Sequence, residues 1–76
     1  MSEYPLILQM RQFIDEERNY NCGGEIYTPY QLQAMLSVWE LLSDETRESL
    51  KRLAPCEFMP ALLQVAQALD AMGLGV

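Results

Sequence analysis

Hydrophobic positions recur at helical spacing along most of the chain. Leu6, Ile7, Met10, Phe13 and Ile14 follow the 3.6-residue period and share one face, while Gln9, Gln12, Asp15, Glu16 and Arg18 lie mostly on the other. A first helix is predicted, capped by Ser2 and reaching about Asn19, with Pro5 in the opening turn where its missing N–H costs nothing. Tyr4 and Leu8, one turn apart, stand nearly opposite the core face and mark a small second apolar patch.

Between Asn19 and Tyr27 the helical period is lost, and the only Gly-Gly pair of the chain, Gly23-Gly24, reads as a tight turn in an ordered loop. Glu25-Ile26-Tyr27 suits a short extended piece, but no second strand is evident for it to pair with. Tyr20, Ile26 and Tyr27 are expected to pack as a lid over the core.

Thr28-Pro29-Tyr30-Gln31 is the clearest local signal, with Thr as N-cap, Pro at the first helical position and Gln completing a capping box. In the second helix Leu32, Met35, Leu36, Trp39 and Leu42 form one apolar seam, and Tyr30, Ala34, Val38 and Leu41 form another. A helix apolar on two sides is central in its fold or shared between subunits.

Ser43 caps a third helix whose first turn carries Asp44 and Glu45 at the positive end of the dipole. Its buried edge is thin, essentially Thr46, Leu50 and Leu53, and Pro55 stops it near Ala54. A fourth helix starts between Cys56 and Pro60, carries Leu62, Val65, Ala66, Leu69 and Met72 at helical spacing, and ends at Gly73; Leu74 is placed to fold back on the last turn. The predicted fold is all-α: one domain over residues 1–76, a compact bundle of about four short helices with one glycine-containing loop.

Size and charge narrow the functional classes. A chain of 76 residues buries only about 60% of its unfolded surface, so support from a partner or a second subunit is expected. Eleven acids against five bases give a net charge of −6, which opposes binding to nucleic acid or anionic lipid. The acidity is uneven: residues 1–42 hold six acids and two bases, and residues 43–76 five and three. The opening residues lack a basic n-region, and no apolar stretch reaches the roughly 18 residues a bilayer demands, so a cytoplasmic protein is expected. In that compartment Cys22 and Cys56 are expected as free thiols, with one disulfide between them as the alternative.

Histidine is absent, which removes the commonest general base and the commonest metal ligand. Consecutive helical residues splay by about 100°, so Asp15, Glu16 and Glu17 cannot converge on one ion. Ser37, Ser43 and Ser49 would have to rely on Lys51, the one lysine, which is expected among Arg47, Glu48 and Arg52 on an exposed face. The third helix mixes Asp44, Glu45 and Glu48 with its cations and makes a poor recognition helix. No enzyme activity, cofactor, metal or direct nucleic-acid contact is expected.

Two classes of function remain. The first is a small acidic protein-binding module that occupies a basic or nucleic-acid-binding surface of a larger partner, using Asp15, Glu16, Glu17, Tyr20, Glu25 and Tyr27. In size and charge the chain resembles phage- or plasmid-encoded inhibitors such as anti-CRISPR proteins, an analogy of class that no motif carries. The second is a self-associating, dimeric structural or regulatory subunit that pairs through Tyr30, Ala34, Val38 and Leu41.

Overall fold

The structure, a computed structural model, describes residues 3–73. Six elements follow in chain order: α1 (Pro5–Asp15), β1 (Tyr20–Cys22), β2 (Glu25–Tyr27), α2 (Pro29–Leu41), α3 (Asp44–Lys51) and α4 (Pro55–Ala71). The protein is mostly helical but not purely all-α, because the loop after α1 is a β-hairpin. The partner strand that the sequence did not reveal is Tyr20–Cys22, antiparallel to β2, with Tyr20 opposite Tyr27 and Cys22 opposite Glu25. Both turn residues have positive φ, Gly23 at 61° and Gly24 at 84°, the backbone that a two-residue hairpin matching strand twist requires. Three-residue strands of mixed polarity carry too little alternation to stand out in sequence.

α1 stops four residues before Asn19. Glu17 adopts a left-handed φ of 54°, its N–H bonds to the Ile14 carbonyl at 3.0 Å, and the Arg18 N–H bonds to the Phe13 carbonyl at 2.8 Å. This is a Schellman closure built on glutamate where glycine is usual, and the Arg18 guanidinium over the Phe13 ring at 4.7 Å replaces the customary apolar contact across it. At the other end Tyr4 is the N-cap residue, and the expected Ser2 cap lies outside the described residues.

The Thr28 capping box forms as the sequence dictates: Thr28 Oγ1 accepts from the Gln31 N–H at 3.3 Å, and the Thr28 N–H donates to Gln31 Oε1 at 3.0 Å. Ser43 likewise caps α3 by accepting from the Thr46 N–H at 3.3 Å. α3 buries no residue; Leu50 and Leu53 pack on the core only in part, and Thr46 is exposed. Its anchor is Arg47, which donates from Nε to the Trp39 carbonyl and from Nη2 to the Glu40 carbonyl, each at 2.9 Å. Both carbonyls lie in the last turn of α2, and that of Trp39 also accepts the Leu42 N–H at 3.3 Å.

Pro55 opens α4 at its first position and does not merely end the helix before it. Pro60 lies inside the second turn, where it has no N–H to offer the Cys56 carbonyl. Gly73, at φ 76°, follows the end of α4, and the fold-back expected of Leu74 lies outside the described residues.

α2 packs against α1 on one side and α4 on the other. Between them lie Ile7, Met10, Leu32, Met35, Phe58, Met59 and Leu62, all fully buried, and among the described residues no polar or charged side chain is buried with them. Tyr4 does not form a separate patch with Leu8. Its ring stacks on Trp39 at 6.3 Å and meets Phe58 at 5.5 Å, while Leu8 remains exposed.

Candidate functional site

The internal ion pairs determine which charges are left to the surface. Arg11 bridges Glu3 at 2.7 Å and Glu40 at 3.4 Å, Arg18 holds Glu16 at 3.0 Å, Arg47 reaches Asp44 at 3.7 Å, and Lys51 meets Glu48 at 3.3 Å. Four of the five cations are thereby occupied. Among the described residues Asp15, Glu17, Glu25, Glu45, Glu57 and Asp70 make no ion pair, and all six are exposed; Arg52 is the one cation without a carboxylate. The excess negative charge is therefore carried by exposed carboxylates that have no ion-pair partner among the described residues.

Of the six residues expected to face a partner, Asp15, Glu16, Glu17 and Glu25 are exposed, Tyr20 is half-buried, and Tyr27 is in the core at 3% exposure. Tyr27 thus offers no ring face to a partner, a consequence of strand alternation that turns it inward and leaves Ile26 outside at 58%. Tyr20 packs its ring on Phe13 at 5.0 Å and donates its hydroxyl to Gln9 Oε1 at 3.2 Å. Burial raises the pKa of both phenols above the ordinary value, Tyr20 and Tyr27 alike. Glu16 is committed locally: hydrogen bonds from Arg18 and Gln12 hold its carboxyl below the usual range. The acids do not converge on one point, since Asp15 to Glu17 close α1 at the hairpin base while Glu25 lies beside the hairpin turn.

Beside Asp15 runs an open groove of about 530 Å³ between α1 and α2, lined also by Arg11, Ile14, Gln33, Leu36, Ser37 and Glu40. The Glu3 hydrogen bond foremost, with Glu40 behind it, raises the Arg11 pKa and fixes this cation within the groove. A second hollow of about 200 Å³ separates α2 from α4, with Tyr30, Ala34 and Val38 on one wall and Leu63 and Ala66 on the other.

The expected self-association seam is divided. Ala34 and Leu41 lie about 40° and 20° round the helix from Tyr30, but Val38 lies about 80° away, far enough to turn inward. Tyr30 is 83% exposed and Leu41 65%, whereas Val38 is 2% exposed and belongs to the core.

Cys22 and Cys56, 34 residues apart in sequence, bring their sulfurs to 2.7 Å. Both are free thiols, Cys22 half-buried and Cys56 exposed. Burial pushes the Cys22 thiol up to about 11, with the hydrogen bond to Cys56 adding to it. The hairpin turn creates the contact, because Gly23 lies against α4 so closely that a β-carbon there would stand 3.3 Å from Cys56 Cβ. Their proximity was hidden in sequence by the intervening α2 and α3.

Among the described residues no group of three or more His, Cys, Asp or Glu side chains could hold a metal ion, and no helix is long and apolar enough to cross a membrane. Ser43 is occupied as a cap, and Lys51, paired with Glu48, lies over the Tyr4 ring at 5.8 Å. No family model, curated protein or solved structure matches the chain.

Proposed function

We propose that the protein is a cytoplasmic, non-enzymatic binding module that presents its unpaired carboxylates to a basic surface of a larger protein, one that itself contacts nucleic acid. The observation that carries this reading is the charge distribution: among the described residues four of the five cations sit in internal pairs, while Asp15, Glu17, Glu25 and three further acids stay exposed and unpaired. Such carboxylates steer a cationic partner and lose little on docking, because no existing ion pair must break. Occupying a nucleic-acid-binding surface blocks it, and this is the mode of action we assign, in the manner of phage- or plasmid-encoded inhibitors such as anti-CRISPR proteins. The test is a low-salt pull-down from the native host with wild-type protein and with Asp15→Lys/Glu17→Lys/Glu25→Lys. A stoichiometric basic partner retained by wild type and lost by the triple variant supports the assignment; equal retention by both contradicts it.

Exposure of Tyr30 and Leu41 on one face of α2 favours a second reading, a homodimer formed through Tyr30, Ala34 and Leu41. Sedimentation equilibrium separates the two: a monomer at all concentrations removes the dimer, and a dimer that Leu41→Asp dissociates supports it.

A further inference from the structure

The hairpin is the least self-sufficient part of the fold. Two three-residue strands are marginal in isolation, and its anchors are the buried Tyr27, the Tyr20 ring on Phe13, and the contact of Cys22 with Cys56. The first two hold the base where Tyr20 pairs with Tyr27. Among the described residues the thiol contact, with the Gly23 backbone beside it, holds the turn end to α4.

We propose that Cys22 and Cys56 form a reversible dithiol–disulfide site, oxidised by a small-molecule disulfide such as glutathione disulfide, that clips the turn end of the hairpin to the first turn of α4. The geometry requires little: sulfurs at 2.7 Å need approach by only about 0.7 Å to reach the roughly 2.05 Å of an S–S bond. Accessibility assigns the order of events. Cys56, exposed at the second residue of α4, loses its proton and attacks one sulfur of glutathione disulfide, forming a mixed disulfide and releasing one glutathione thiolate. Cys22 then loses its proton and attacks Cys56 Sγ, forming the protein disulfide and expelling the second thiolate. Both thiolates take up the protons released. Two protein thiols are oxidised, and one glutathione disulfide is reduced to two glutathione molecules.

Glu25 faces Cys22 across the strands, so the clip fixes the position of an acid in the proposed partner-binding set. The site itself stands apart from that reading, since oxidation can be followed without any partner. A cross-link between residues 34 apart restricts the unfolded chain strongly, and in a domain this small it is expected to raise the Tm by about 10–20 °C.

The experiment is titration of the purified full-length protein with mixtures of reduced and oxidised glutathione, read by intact mass, peptide mapping without reductant and thermal melting. Expected are a monomer lighter by two hydrogens, a Cys22–Cys56 linked peptide pair, a higher Tm and reversal by excess reduced glutathione. Cys22→Ser is expected to accumulate a glutathione adduct on Cys56 that wild type does not retain. Persistent adducts on wild type, cross-linked dimers, absence of reaction, or an oxidised monomer with an unchanged or lower Tm would each overturn the proposal. Should Cys22→Ser fail to fold, the wild-type peptide map and melting curve decide alone.

Discussion

Arg47 donates from Nε to the carbonyl of Trp39 at 2.9 Å, and its guanidinium carbon lies 5.7 Å from the centroid of the same residue's indole ring. One side chain of α3 thus closes the end of α2 and covers the edge of the aromatic cluster that Trp39 shares with Tyr4 and Phe58. Because α3 fully buries no residue, this contact supports its position together with the partial packing of Leu50 on the core. Arg47→Ala is expected to lower stability by about 1–3 kcal/mol in urea unfolding. Arg47→Lys should recover less than half, because one ammonium cannot reproduce two divergent guanidinium bonds. Equal midpoints for wild type and Arg47→Ala would show that α3 is held otherwise.

Glu17 occupies a left-handed backbone position that glycine tolerates better. Glu17→Gly is therefore expected to raise stability by about 0.5–1 kcal/mol, provided the Schellman bonds from Glu17 and Arg18 persist. Chemical denaturation checks it, and a destabilised variant would mean that the Glu17 side chain contributes more than its backbone costs. At the hairpin turn the opposite substitution is expected to fail: Gly23→Ala combines a φ of 61° with a β-carbon 3.3 Å from Cys56 Cβ and should cost about 1–2 kcal/mol.

These positions show what sequence could and could not disclose. The helices are legible where a capping box marks the start, as at Thr28 to Gln31, or where the apolar period is sustained, as along Leu6 to Ile14. β1 was not, because Tyr20-Asn21-Cys22 is too short to show alternation. The end of α1 was missed because its stop signal is a glutamate doing what glycine normally does. Exposure within the proposed sites was the least legible feature. Tyr27 and Ile26 are neighbours of similar apolar character, and only the pairing register determines that the first goes inside. Val38 shared a seam with Tyr30 in spacing, yet its angular position carries it into the core. The six unpaired carboxylates could not be singled out until ion pairing showed which acids the cations had already taken; Glu45, Glu57 and Asp70 had stood outside the expected set.

Alkaline pH is expected to destabilise the reduced protein. Cys22 is raised from 9.0 to about 11 in the fold, so the folded state holds its proton over a range where the unfolded chain has lost it. That contribution is fully present below about pH 9 and is lost as pH rises through about 11. Tyr20 and Tyr27 shift in the same direction and add to the fall. Urea midpoints under reductant should therefore decline from pH 9 upward, with a shallower decline for Cys22→Ser; identical profiles for the two proteins would contradict the assignment to Cys22.

Substitutions along α2 are expected to divide by burial. Leu41→Asp should leave stability within about 0.5 kcal/mol of wild type, because Leu41 is 65% exposed. Val38→Asp would place a charge in the core and should cost more than about 3 kcal/mol, which makes it unusable as a probe of association. Circular dichroism during thermal melting distinguishes them, and similar losses for both would show that the exposed side of α2 is covered.

Recruitment of a basic partner by unpaired surface carboxylates is read in the association rate with the captured partner as a function of salt. Between about 50 and 500 mM salt the on-rate of the wild-type protein is expected to fall at least about tenfold, with a much smaller change in the off-rate. Asp15→Lys/Glu17→Lys/Glu25→Lys should begin slow and show little salt dependence. An on-rate that neither salt nor the triple substitution alters would rule out recruitment by these carboxylates.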